Sequence, residues 1–148
     1  LKLILIGKRG WEVSELVNRI KRHKKNGKQL IWWENCSDEF LIDLYSGSAG
    51  LIAASRAEGY SLPIVESQNF KLPVFARDIP IYREIGETYS GINYFSGKNP
   101  QQIAKEFSLW RRTINQKIVL KKDTSKKICW KKATKDLEKI INERPSAW

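Results

Sequence analysis

A chain of 148 residues, 41% hydrophobic and 29% charged, has the length and balance of one folded domain, which excludes a disordered or fibrous protein. No apolar run approaches the roughly 20 residues that cross a bilayer, so no membrane-spanning helix is expected within these residues. The net charge of +11 is uneven, with 13 basic and 11 acidic side chains in residues 1–97 against 14 and 5 in residues 98–148.

Residues 1–6 form a continuous aliphatic run closed by Gly7, the pattern of a strand buried on both faces of a parallel sheet. From residue 12 to about 25, Val13, Leu16, Val17 and Ile20 follow helical spacing, and Gly27 stops the helix. Residues 30–33 are a second short strand. Ser37 then offers an N-cap with Asp38 and Glu39 in the first turn and Phe40, Leu41, Leu44 and Tyr45 as the buried stripe. Residues 50–54 read as a third strand, 62–69 as a short helix with Pro63 near its start, and 73–76 as a fourth strand. A helix over 80–85, a weaker strand over 92–95, and a helix opened by Asn99, Pro100 and Gln102 and running through Trp110 complete the repeating unit. A last helix is expected over 124–142, with Ile128, Ala133, Leu137, Ile140 and Ile141 on one face. Such alternation predicts an α/β, Rossmann-like domain with parallel strands and flanking helices, residues 1–97 forming the core and 98–148 a basic helical segment.

In an open parallel sheet a ligand lies beyond the carboxyl ends of the strands, which directs attention to residues 8–11, 34–37, 55–61 and 77–79. Residues 55–66 read SRAEGYSLPIVE, two carboxylates with seven residues between them, one in a glycine-containing loop and one inside the following helix. The backbone N–H groups of Gly59, Tyr60, Ser61 and Leu62 would face the crevice, where aligned peptide dipoles favour a diphosphate. Glu58 could then reach the hydroxyls of a sugar on one side of that diphosphate, and Glu66 both hydroxyls of a ribose on the other. The plainer reading of a carboxylate near a helix start is that it complements the helix dipole, a reading that Glu66 resists because it lies about four residues into the short helix. His23, among Lys21, Arg22, Lys24 and Lys25 at a helix end, reads as a surface residue. Trp11, Trp32, Trp33, Trp110 and Trp130 read as core or interface, and only Trp33, beside residues 34–37, has a positional case for base stacking. Cys36 and Cys129 lack paired spacing, so neither a metal cluster nor a disulfide is expected.

EGYSLPIVE resembles the Glu-x7-Glu motif of the family-four retaining glycosyltransferases, usually close to E-G-F-G-L-P-x-x-E. GKRGW after the first strand, SDEFLIDLY on the second helix, LIAAS before the motif, and LPVFARDIP and REIG after it are similar to the same family's C-terminal domain. The resemblance implies the donor-binding half of a two-domain GT-B enzyme that transfers a sugar with retention of configuration, without a metal ion or other cofactor. It places Glu58 beside the donor hexose as the catalytic glutamate, Glu66 on the nucleoside ribose, Gly59, Tyr60, Ser61 and Leu62 against the sugar and phosphate, and Trp33, Glu34 and Asn35 at the base. The family's phosphate-binding Arg and Lys are expected upstream of Leu1, with Lys8 and Arg9 as weaker candidates. Ser61 stands where the family usually has glycine, so a positive φ there would strain the backbone; Tyr60 replaces a phenylalanine, and Lys71, also at a common glycine, reads as surface variation.

AEGYSLPIVES and ARDIPIYREIG are similar to stretches of polysaccharide mannosyltransferases, which implies mannose from GDP-mannose, or else a UDP-sugar, passed to a growing surface polysaccharide or glycolipid. The chain begins inside a strand and has no methionine, so it is expected to be a piece; the resemblance implies that the acceptor half is absent from it and that the piece is inactive alone. With no signal peptide the expected location is the cytoplasm, and the basic C-terminal segment could touch an anionic membrane peripherally. Two rival readings are a nucleic-acid-binding module built on that segment, and a non-catalytic binder of sugar nucleotides; the resemblance implies no nucleic-acid partner.

Overall fold

The computed structural model describes residues 1–115 together with Thr134, Lys135, Leu137, Glu138, Lys139 and Asn142. The few described residues of the helix expected over 124–142 are helical; the rest of it, with Cys129, lies outside the described residues. The chain divides into two compact units, Leu1–Ser48 and Ala49–Trp148.

In the first unit, β1 (Leu3–Ile6) pairs in parallel with β2 (Leu30–Trp33), Leu3 opposite Leu30 and Ile6 opposite Trp33. β1 is not buried on both faces: Leu3 and Ile6 are each 43% exposed. Among the described strands it pairs with β2 alone, so this small sheet does not enclose it. Between them α1 (Ser14–Arg22) buries Val17 and Ile20. It starts later than the apolar spacing suggests because Glu12 is left-handed, with φ 53°, and cannot join a right-handed helix. α2 (Asp38–Gly47) is capped as predicted, the Ser37 hydroxyl accepting from the Phe40 N–H at 3.2 Å. A backbone hydrogen bond at Glu39, and then the Ser37 hydroxyl, hold the Glu39 carboxyl below the usual range. Its inner stripe is Tyr45, buried, with Phe40, Leu41 and Leu44 half-buried.

The second unit runs β3 (Leu51–Ala53), α3 (Leu62–Asn69), β4 (Val74–Arg77), α4 (Pro80–Thr88), β5 (Ile92–Phe95) and α5 (Pro100–Asn115). Its sheet has the order β3-β4-β5, every pair parallel as the alternation predicts, with Ala53 opposite Ala76 and Arg77 opposite Phe95. Because side chains alternate across a strand, neighbouring residues of β4 serve opposite layers. Ala53, Val74 and Ala76 pack with Ile64 of α3 and Tyr82 and Ile85 of α4. Phe75 and Phe95 form a separate cluster with Trp110 of α5; Phe75 stacks on Phe95 at 4.6 Å and on Trp110 at 5.1 Å between centroids. Both faces are thereby covered, as the continuous apolar run in β4 requires. α5 opens as expected, Asn99 Oδ1 accepting from the Gln102 N–H at 2.9 Å while Gln102 Oε1 accepts from the Lys98 N–H at 2.8 Å.

Gly50, just before β3, is a point of close approach. A methyl group there would lie 2.8 Å from the Trp110 ring and 2.9 Å from the Pro73 carbonyl oxygen, a backbone atom that already accepts from the Leu51 N–H. Gly50→Ala is expected to cost about 2 kcal/mol through overpacking, read as a lower midpoint in urea denaturation.

Candidate functional site

The carboxyl edge of the second unit is built around the loop that joins β3 to α3. Glu58 is exposed within it, and the half-buried Ser55 donates from its hydroxyl to Glu58 Oε1 at 2.8 Å. The loop closes at Ser61, which has φ 55° and ψ 66° and is only 6% exposed. Its carbonyl accepts from the Ile64 and Val65 N–H groups, which sets α3 in motion from a left-handed residue. Among the described residues, the N–H groups of Gly59, Tyr60, Ser61 and Leu62 donate to no carbonyl outside the helices and strands. Tyr60 is 45% exposed and Leu62 60% exposed, so this stretch presents large side chains outward. Glu66 is half-buried on α3, about 6 Å along the helix from Leu62. The two carboxylates of the motif therefore stand on either side of the left-handed turn, one on the loop and one on the helix.

Serine at Ser61 does carry the strain that its departure from glycine raised. Ser61→Gly is expected to raise stability by about 1 kcal/mol, seen as a higher melting temperature. Lys71 is exposed, in line with surface variation, yet with φ 53° it also occupies a conformation that favours glycine.

Two arginines at the same edge were given no role by sequence reasoning. Arg77, the last residue of β4, donates from Nε to the Ala54 carbonyl oxygen at 3.0 Å, and its Cζ lies 5.0 Å from the centroid of the Phe95 ring. Arg83 grips Asp78 with two hydrogen bonds of 2.7 and 2.8 Å and lies 3.9 Å from the Tyr94 ring centroid. The Arg83 hydrogen bonds hold the Asp78 carboxyl below the usual range, and burial pushes the Tyr94 phenol up while its hydroxyl donates to the Tyr82 carbonyl at 2.9 Å. The available signal was position alone, a basic residue ending the strand next to the one that carries the motif.

The first unit holds the remaining candidates. Arg9 and Glu34, 25 residues apart in sequence, meet at the carboxyl ends of β1 and β2, where Arg9 Nη2 lies 3.0 Å from Glu34 Oε1 and Nε bonds both carboxylate oxygens at 3.1 Å. The Arg9 charge is thus already matched by a carboxylate. Trp32 Nε1 donates to the Gly7 carbonyl at 2.9 Å and ties the two strand ends together. Trp33 ends β2 half-buried with its ring edge-on to Phe40 at 4.8 Å, and Lys8 and Asn35 are exposed. His23 is exposed at the end of α1, its Nδ1 accepting from the Lys25 N–H at 3.2 Å, as a surface residue would be. A groove of about 940 Å³ lined by Arg19, Ile20, Arg22, His23, Lys25 and Leu30 lies at the opposite end of β2 from Glu34. Among the described residues no cluster of three or more His, Cys, Asp or Glu could hold a metal ion, and no helix is long and apolar enough to cross a membrane.

Residues 1–129 match the family described as glycosyl transferases group 1, a span that includes both loop sets and the whole Glu58 to Glu66 segment. The chain belongs to the group 1 glycosyltransferases. The α/β architecture with parallel strands and flanking helices is that of the family's GT-B type domain. Three proteins named serotype-specific mannosyltransferase WbdA, from Escherichia coli, are each 39% identical to this group 1 sequence over 139 residues, 94% of the chain. The chain spans only 16 to 17% of the length of these curated relatives.

Proposed function

We propose that this chain is the donor-binding part of a retaining mannosyltransferase that takes mannose from GDP-mannose, without a metal ion, and adds it to a growing surface polysaccharide or glycolipid. The 39% identity to mannosyltransferases along 94% of the chain is the observation that carries the reading. The geometry supports it. Glu58, on an exposed loop, is free of the core and suited to meet the donor hexose; the N–H groups of Gly59, Tyr60, Ser61 and Leu62 suit the diphosphate; and Glu66, set back on α3, suits the ribose. In this reading Trp33, Glu34 and Asn35 serve the base. Arg9, being paired with Glu34, contributes to phosphate binding only where the diphosphate displaces that carboxylate, whereas Lys8 is exposed beside it. The protein acts in the cytoplasm, with the basic segment 98–148 making peripheral contact with anionic lipid rather than with nucleic acid.

Calorimetric titration of the full-length protein with GDP, UDP and their mannose and glucose conjugates tests the reading. Selective binding of GDP and GDP-mannose is the expected result. Selective binding of UDP would transfer the proposal to a UDP-sugar, and binding of none would overturn it.

A further inference from the structure

We infer that Arg77 and Ser55 act together as positioning residues for Glu58, an inference that rests on the role proposed for that glutamate. The contacts form a continuous path. The Arg77 guanidinium holds the Ala54 carbonyl at 3.0 Å, and Ser55, the next residue, holds Glu58 Oε1 through its hydroxyl at 2.8 Å. Arg77 is well placed for this. It ends the central strand of the three-stranded sheet, its partner in register is Phe95, and its guanidinium lies over that 2% exposed ring. β3 is three residues long and its ladder with β4 ends at Ala53 opposite Ala76. Past that point the β4 backbone turns to the other neighbour, the Asp78 N–H bonding the Phe95 carbonyl at 2.8 Å. The Arg77 side chain thus supplies the next rung towards β3 that the backbone does not.

An exposed loop with an exposed glutamate has many conformations to lose on binding, and anchoring its root to the rigid sheet removes part of that freedom beforehand. A planar guanidinium lying over an aromatic ring and donating to a carbonyl suits this task better than a flexible ammonium. Neither residue needs to touch the donor.

The test compares Arg77→Ala, Ser55→Ala, Ser55→Thr and their Arg77→Ala/Ser55→Ala double variant in the full-length enzyme, reading kcat and the Kd of the donor nucleotide. The relay predicts a fall in kcat of about 10- to 100-fold for each alanine variant with nucleotide Kd within about threefold of the parent. It also predicts recovery to within about threefold in Ser55→Thr, which keeps a hydroxyl, and a double variant much less impaired than the product of the single effects. A kcat within about twofold of the parent in both alanine variants, or a Ser55→Thr as impaired as Ser55→Ala, overturns the inference. If Arg77→Ala fails to fold, Arg77→Met, which keeps an unbranched apolar side chain beside the Phe95 ring but has no N–H donor, takes its place. Glu58→Gln separates the two levels: a dead Glu58→Gln with active Arg77 and Ser55 variants removes only the relay, whereas an active Glu58→Gln removes the role of Glu58 itself.

Discussion

Glu58→Gln in the full-length enzyme is expected to lower turnover by about a thousandfold or more while leaving the affinity for the donor nucleotide unchanged. The substitution conserves shape and removes only charge and basicity. Glu58 is exposed on a loop and belongs to neither hydrophobic cluster, so the fold does not depend on it. The glutamine side-chain oxygen can still accept from the Ser55 hydroxyl, the bond that now runs to Glu58 Oε1. A loss of activity is therefore attributable to chemistry at the sugar and not to collapse of the loop. Steady-state transfer assays beside nucleotide titrations decide the matter, and unchanged turnover would remove Glu58 from the reaction.

Glu66→Ala is expected to act on the other quantity. A carboxylate that accepts from both hydroxyls of a ribose makes two charge-assisted hydrogen bonds, and losing them is expected to weaken nucleotide binding by about 10- to 100-fold. Alanine has the highest helix propensity and Glu66 lies inside α3, so the helix itself should survive. Because such a contact exists in both the ground state and the transition state, KM should rise more than kcat falls. A Kd for the nucleotide that does not move in Glu66→Ala would sink the ribose assignment without touching that of Glu58. The two substitutions thus divide the motif into a chemical half and a binding half, with seven residues between them in sequence and on opposite sides of the left-handed Ser61 turn.

The legibility of this protein differed between elements for physical reasons. α3 and β5 fall on the residues their patterns indicate, because Pro63 near a helix start and a short apolar run between polar neighbours are strong local signals. α1 is shorter at both ends than its apolar spacing suggests, since that spacing cannot reveal that Glu12 takes a left-handed conformation or that His23 is extended. The aliphatic run of β1 has the pattern of burial on both faces, yet Leu3 and Ile6 are exposed, because apolar composition permits burial and does not enforce it. At the candidate site, the roles proposed for Glu58 and Glu66 rest on a motif that lies within one short segment, so its resemblance to the family is legible without the fold. Ser61 was readable as a departure from glycine, though only its φ of 55° shows that the strain exists.

By itself the sequence determined the order and kind of the elements, the parallel strands that their alternation demands and the position of the paired glutamates, all of which depend on local pattern and spacing, while its similarity to known sequences shows the family. Tertiary structure alone decided that Arg77 reaches Ala54, 23 residues away, that Arg9 meets Glu34 and that Ser55 holds Glu58. The first two pairings follow from strand register, which brings together residues remote in sequence. The third follows from the path of the loop, which carries no periodic signal.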